Sequence, residues 1–437
     1  MKYLSKHLSI LLLLLPITAA AQPYTLDQCR ELALKRNRTL QSARLDMSKA
    51  DEDKRKAFTA YFPEVSGMGA AFWADDYMIQ MGQTAMLKNG RMATLSATQP
   101  LFAGGQIVNA NRLAKVQQEV SALKYHLTEN EVLQRVTETY WQIFSLQANL
   151  TTLDSSDRLL AELLRMTNSY VRAGVRLPAD TLRLQLRRQE LESSRLSIDN
   201  ALRLCQMSLA NMMGIDWQRF SVVDTTFAQP ADPVTAFIPA DDAATQRSEY
   251  LLQERAVDAS RLQLRMERGK LLPTLGVGVN GIYANLMEKN ETHGILYATL
   301  SVPISAWWGG SHAIRKARYN RQQAELALQD TRQNLRLDIE HAWNSLVESY
   351  RQIDVARRNV ISAQENLRQN QSYYRNGTTT INDLLDAENQ LLQSQNRLTS
   401  ALATYQVRLA DYGRKVKYNP RRPYTDADRH SLRHLWR

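Results

Sequence analysis

Tyr373-Tyr374-Arg375-Asn376-Gly377-Thr378-Thr379-Thr380-Ile381-Asn382-Asp383-Leu384-Leu385-Asp386-Ala387 stands between two long segments that contain neither glycine nor proline. Such segments read as helices, so this stretch is a tip where the chain reverses. Gly377 accepts the left-handed conformation that ends a helix, and Thr378 to Thr380 offer hydroxyl caps for the next one. Asp383 and Asp386, three apart, share one helix face within its first two turns. An echo stands about 203 residues earlier, at Ser169-Tyr170-Val171-Arg172-Ala173-Gly174-Val175-Arg176-Leu177-Pro178-Ala179-Asp180-Thr181-Leu182. Ser169, Tyr170, Arg172, Gly174 and Asp180 answer Ser372, Tyr373, Arg375, Gly377 and Asp383. Two copies of one tip, so far apart, mean a duplicated chain.

Working outward, each half reads helix, strand, strand, long helix, tip, helix. The first repeat spans 22–226, with a β-hairpin at about 64–100 and its tip at about 170–182. A Pro-containing linker at 227–240 follows. The second repeat spans 241–413, with a hairpin at about 274–303 and its tip at 373–387. Helices are expected from Tyr24 to Phe62, Thr181 to Met213 (capped by Gly214), Asp241 to Arg268, and Ile381 to Tyr412, after which Gly413 ends the repeat. Gln106–Ala173 and Ser311–Asn376 carry no glycine or proline. At about 1.5 Å per residue each makes one helix, or two stacked ones, about 100 Å long. That length belongs to a coiled coil or helical barrel rather than a globular core. Ala93, Leu95 and Ala97 alternate with Thr94, Ser96 and Thr98, and Leu296, Ala298, Leu300 and Val302 oppose Tyr297, Thr299 and Ser301. These are strands with one apolar and one hydroxyl face. Pro100, Gly104 and Gly105, then Pro303, Gly309 and Gly310, mark two strand-to-helix corners.

Composition narrows the function classes. Residues 1–21 read as a secretory signal: Lys2 and Lys6, an apolar run from Ile10 to Leu15, and Ala19-Ala20-Ala21 before Gln22. That run is shorter than the ~20 residues a transmembrane helix needs. Of the net charge of +11, residues 414–437 carry eight basic against two acidic side chains. So concentrated an excess describes a basic tail, not a nucleic-acid-binding core. Cys29 and Cys205, the two cysteines, can pair in an oxidising compartment or stay as free thiols. The seven histidines are scattered; His430 and His434 share an i,i+4 spacing but lack a third ligand. No P-loop or GxSxG is present, so neither an enzyme nor a cofactor is expected.

Strands of about ten residues with one apolar face suit a transmembrane barrel, in which no sheet edge is left open. Four strands cannot close one, so a spanning sheet needs further copies: two give eight strands, three give twelve. The other reading of the pattern is a soluble four-stranded sheet with coiled-coil arms. The signal segment, the duplicated order, the Pro100-Leu101-Phe102-Ala103-Gly104-Gly105 corner and the paired tips resemble the TolC family of outer-membrane efflux proteins, over about residues 24 to 413. That resemblance implies a mainly α fold with a small β part. It implies a homotrimer with a 12-stranded barrel in outer-membrane lipid, continued by a helical barrel through the periplasm. It also implies that the tip turns (Arg172, Gly174, Arg375, Gly377) dock a periplasmic adaptor and, through it, an inner-membrane transporter. The protein is then a passive exit duct for a tripartite efflux pump or type I secretion system. The alternative is a periplasmic coiled-coil adaptor without a pore.

In a trimer, Asp383 and Asp386 form two stacked carboxylate rings that attract cations and raise one another's pKa. They are read as a selectivity gate, with plain helix N-terminal carboxylates as the other reading. The family's closed state uses a Tyr and an Arg of the second tip reaching an Asp of the first. Tyr374 and Asp180 match, but Thr379 stands at the Arg position, so the latch is weaker or Arg375 or Arg176 substitutes.

Overall fold

The computed structural model describes residues 23–416 except 77, 78, 82, 83, 87, 88, 225, 226, 228, 229, 231, 287 and 288. The expected signal segment, residues 417–437 of the basic tail, and His7, His430 and His434 lie outside the described residues. The chain forms two compact units, each drawing on both repeats: one on residues 42–128 and 239–338, the other on residues up to 41, 129–238 and 339–417.

The first unit holds the sheet. Strands β1 (Glu64–Trp73), β4 (Asn89–Ala103), β5 (Thr274–Leu286) and β6 (Lys289–Ser301) pair antiparallel in the order β1-β4-β5-β6. A separate two-stranded ladder, β2 (Ile79–Met81) with β3 (Thr84–Met86), occupies the expected polar loop. The register places Val65 by Ala97, Ala97 by Val279, and Val279 by Leu296, so one face is apolar across all four strands. On that face Val65, Leu95, Leu296 and Leu300 are each more than 60% exposed. The other face carries hydroxyls that bond across strands, Ser66 to Ser96 at 2.8 Å and Thr98 to Tyr297 at 3.3 Å. The expected alternation is therefore observed, and edges β1 and β6 stay unpaired among the described residues.

The helices are α1 (Leu26–Arg36), α2 (Arg38–Thr59), α3 (Gln106–Arg172), α4 (Pro178–Met213), α5 (Ala240–Ala244), α6 (Ser248–Gly269), α7 (Ala306–Arg375) and α8 (Ile381–Val416). Of the two options for the long segments, single helices are observed: α3 is continuous over 67 residues and α7 over 70. Among the described residues no helix is long and apolar enough to cross a membrane. The equivalent tryptophans keep equivalent neighbours in the second unit. Trp141 stacks on Phe227 and Trp343 packs edge-on against Phe237.

Several sequence expectations need correcting. Tyr24–Phe62 is two helices, because Asn37 breaks it without glycine or proline. Its Oδ1 accepts from Thr39 N at 2.9 Å and Leu40 N at 3.2 Å, capping α2, while its Nδ2 donates to Met212 O at 2.9 Å. Asp241–Arg268 is likewise split, with Arg247 buried between the halves against Glu249 and Asp338. The last helix does not stop at Tyr412 but runs through Gly413 to Val416. Pro100 sits inside β4 at a bulge, opposite Gly276, rather than at a corner. The first corner is Gly104-Gly105, both at positive φ; a Cβ on Gly104 would collide with the Gly269 carbonyl. The second is a turn at Pro303–Ala306, and Gly309 and Gly310 lie inside α7. There Gly310 makes room for the Leu271 side chain. Cys29 and Cys205 are free thiols, not a disulfide.

Candidate functional site at the helical tip

Both tips are built alike, from glycine geometry. Helix α7 ends with Thr378 N donating to Tyr373 O at 2.9 Å and Gly377 N to Tyr374 O at 3.2 Å. Helix α3 ends with Val175 N to Tyr170 O at 2.9 Å and Gly174 N to Val171 O at 3.0 Å. Each is a Schellman closure around a left-handed glycine, φ +80° at Gly377 and +73° at Gly174.

The next helix starts with a reciprocal cap. Asp383 N donates to Thr380 Oγ1 at 3.3 Å, and the Asp383 carboxylate accepts from Thr380 N at 3.1 Å, Thr380 Oγ1 at 2.6 Å and Thr379 Oγ1 at 2.9 Å. The Thr380 hydroxyl, the Thr379 hydroxyl and the Thr380 amide hold this carboxyl below the usual aspartate range. That is opposite in sign to the rise expected from like-charged neighbours. Asp383 is thus an exposed carboxylate that caps the N-terminus of α8. Asp386 is exposed and has no hydrogen-bond or ion-pair partner among the described residues.

Below the caps, α3, α4, α7 and α8 share one core. Leu153, Leu160, Leu163, Leu184, Leu367 and Leu384 belong to it. Leu153, Leu160 and Thr167 follow a heptad, as do Leu367 and Tyr374, which places a polar pair where leucines are expected. Thr167 and Tyr374 are both fully buried, with their hydroxyls 3.2 Å apart. Burial raises the Tyr374 pKa, so the phenol stays protonated.

Arg176, on the first tip, closes over this pair. Its guanidinium lies 4.3 Å from the centroid of the Tyr374 ring, and it donates to Tyr374 O at 2.7 Å and Thr379 O at 3.5 Å. A cation at the carbonyl end of α7 also opposes the negative pole of the helix. So Arg176, not Arg375, supplies the positive charge that Thr379 lacks, and Thr379 joins through its carbonyl. Arg375 is exposed and unpartnered among the described residues. Asp180 is half-buried and influences Tyr374 through space without a hydrogen bond. Among the described residues Arg172 reaches only Ser169 of its own helix, at 3.5 Å.

A second tie escaped the sequence reading. Glu388, one heptad beyond Ile381, is 2% exposed. It accepts from the Ser156 hydroxyl and from Arg187 Nε at 3.0 Å. Arg187 also donates to Asn389 Oδ1 at 2.9 Å. A carboxylate at an apolar heptad position was the available signal: Ile381, Leu384, Glu388, Leu391. The arrangement fastens one repeat's tip to the other's through the Arg176 guanidinium and the buried Glu388–Arg187 ion pair.

The family model described as outer membrane efflux protein matches residues 29–214 and 241–411. The outer membrane protein TolC of Escherichia coli is 22% identical over 412 residues, covering 89% of this chain and 81% of its own. The alkaline protease secretion protein AprF of Pseudomonas aeruginosa is 25% identical over 331 residues, covering 72% and 67%. Among solved structures, the Campylobacter jejuni CmeC outer membrane channel has the same fold, with a TM-score of 0.78 at 15% identity, covering 93% of this chain and 88% of that one. With that match across both repeats, the chain belongs to the outer membrane efflux protein family, whose members are outer-membrane channels.

Proposed function

We propose that the protein is a homotrimeric exit duct whose periplasmic entrance is shut by the helical tip. The observation that carries this is the open four-stranded sheet with one continuous exposed apolar face. In lipid the unpaired groups of β1 and β6 need partners, and edge-to-edge addition of copies supplies them. Three copies give a 12-stranded barrel, and the helices continue the wall. Each repeat keeps its boundaries of 22–226 and 241–413 around the linker at 227–240. Energy comes from a partner: a periplasmic adaptor reads the exposed tip turns around Arg172, Gly174, Arg375 and Gly377 and couples them to an inner-membrane transporter. The names of the relatives include both outer membrane efflux and protease secretion, so the duct serves a tripartite pump or a type I system.

In the closed state Arg176, Tyr374 and the Glu388–Arg187 pair hold the two tips together. Asp383 and Asp386 of three copies then ring the entrance and favour cations. Opening separates α7 and α8 from α3 and α4, which breaks these ties. The test is the reversal potential under a salt gradient in a planar bilayer, for wild type and an Asp383→Ala, Asp386→Ala variant. Cation preference in wild type that disappears in the variant supports the gate; equal selectivity removes these residues from it.

A further inference from the structure

The cleft between α2 and α3, beside the sheet, plays no part in the tip. It encloses about 850 Å³ and is lined by Phe58, Tyr61 and Val108 near the sheet and by Arg55, Arg112 and Lys115 farther along. Helix α2 runs into β1 and β4 runs into α3, so residue number measures distance from the sheet along each helix. Val108, Arg112 and Lys115 have i, i+4, i+7 spacing, which puts them on one face. At 1.5 Å per residue, Arg112 and Lys115 stand about 9 and about 14 Å beyond the start of α3. A headgroup layer adds about 5–8 Å to each side of the hydrocarbon core. Side chains of a helix lean toward its N-terminus, which for α3 is the sheet. The long Arg112 and Lys115 side chains therefore reach back toward the phosphate layer, while the apolar end of the cleft meets the hydrocarbon boundary.

The charges are unbalanced. Five cations line the cleft against two carboxylates, Asp51 and Glu52. Both acids are engaged, Asp51 by Gln118 at 2.5 Å and Glu52 by Arg55 at 2.8 Å. Arg112 and Lys115 are exposed and have neither a hydrogen bond nor an ion pair among the described residues. The cleft belongs to one chain, because its two helices run into β1 and out of β4, which pair with each other; the edges open to another copy are the outer side of β1 and β6.

We propose that this cleft binds an anionic phospholipid of the periplasm-facing leaflet. The phosphate sits on Arg112 and Lys115, and the acyl chains run past Val108, Phe58 and Tyr61 toward the apolar face of the sheet. The site needs the sheet in a membrane and is independent of the tip gate, so either can fail alone. Native mass spectrometry of the detergent-purified oligomer, offered phosphatidylglycerol and phosphatidylcholine at equal concentration, tests it. Wild type retains one phosphatidylglycerol per chain with about 25-fold preference, on the basis of about fivefold for each of the two juxtamembrane cations. An Arg112→Gln, Lys115→Gln variant brings the two lipids to parity with the oligomer intact, and Arg112→Lys keeps most of the preference. Excess inorganic phosphate leaves the lipid bound. Equal retention of both lipids by wild type, displacement by phosphate alone, or full preference in the double variant overturns the proposal. Loss of the oligomer in that variant with lipid preference unchanged assigns the cleft to contacts between copies, and overturns it too.

Discussion

In the proposed closure, Tyr374 and Arg176 hold the two tips together side chain by side chain. Tyr374→Phe removes the bond to Thr167 and leaves a fully buried hydroxyl unpaired, which costs about 1–3 kcal/mol. Tyr374→Ala adds a cavity and costs about 3–5 kcal/mol. Arg176→Met keeps much of the bulk over the ring but loses both carbonyl bonds. Cells carrying it should admit a large antibiotic that wild type excludes; unchanged resistance would remove Arg176 from the closure. Asp383 supplies a pH signature. Its folded pKa lies below the ordinary aspartate value near 3.9, so the cap is fully stabilising above about pH 4 and is lost as pH falls through the folded value. Cation selectivity should therefore stay flat from about pH 8 to 5 and weaken only below about 4. A decline near pH 6 would mean that repulsion within the ring overrides the caps. Cys29, fully buried with its thiol pushed up to about 12, should resist thiol reagents at pH 8 in the folded protein, while half-buried Cys205 reacts first. Equal labelling of the two would contradict the packing around α1.

At the scale of elements, the two long helices α3 and α7 were legible from the absence of glycine and proline. Asn37 was not, because a side-chain cap can end a helix that composition alone would continue. The tip turns were legible from Gly174 and Gly377, and so was the substitution problem at Thr379, which left Arg176 as one of two candidates. Glu388 was missed because helix assignment does not ask which heptad positions face the core. Its pairing leads to a prediction about two elements, α4 and α8. Glu388→Leu alone strands Arg187 and costs about 3 kcal/mol, softened by the remaining bonds from Arg187 to Glu190 and Asn389. Glu388→Leu with Arg187→Leu should recover most of that, as apolar replacement of a buried pair is often neutral. A thermal-denaturation double-mutant cycle measures the coupling, and additive single-variant losses would show that the pair does not act as a unit.

For the whole molecule, strand periodicity foretold the two-faced sheet, and the strand count foretold that one chain leaves it open. The two corners were harder, since Pro100-to-Gly105 and Pro303-to-Gly310 look alike yet only the first turns on left-handed glycines. An adaptor without a pore has no use for an exposed apolar sheet face with free edges, and the family match leaves that reading without support. We propose a duct held shut by its own tips. It is tested most directly by single-channel conductance in a planar bilayer, comparing wild type with an Arg176→Met, Tyr374→Phe variant. We predict a small conductance for wild type and a several-fold larger one for the variant at the same oligomeric mass. No conductance from either well-folded oligomer, or the same small conductance from both, would contradict it.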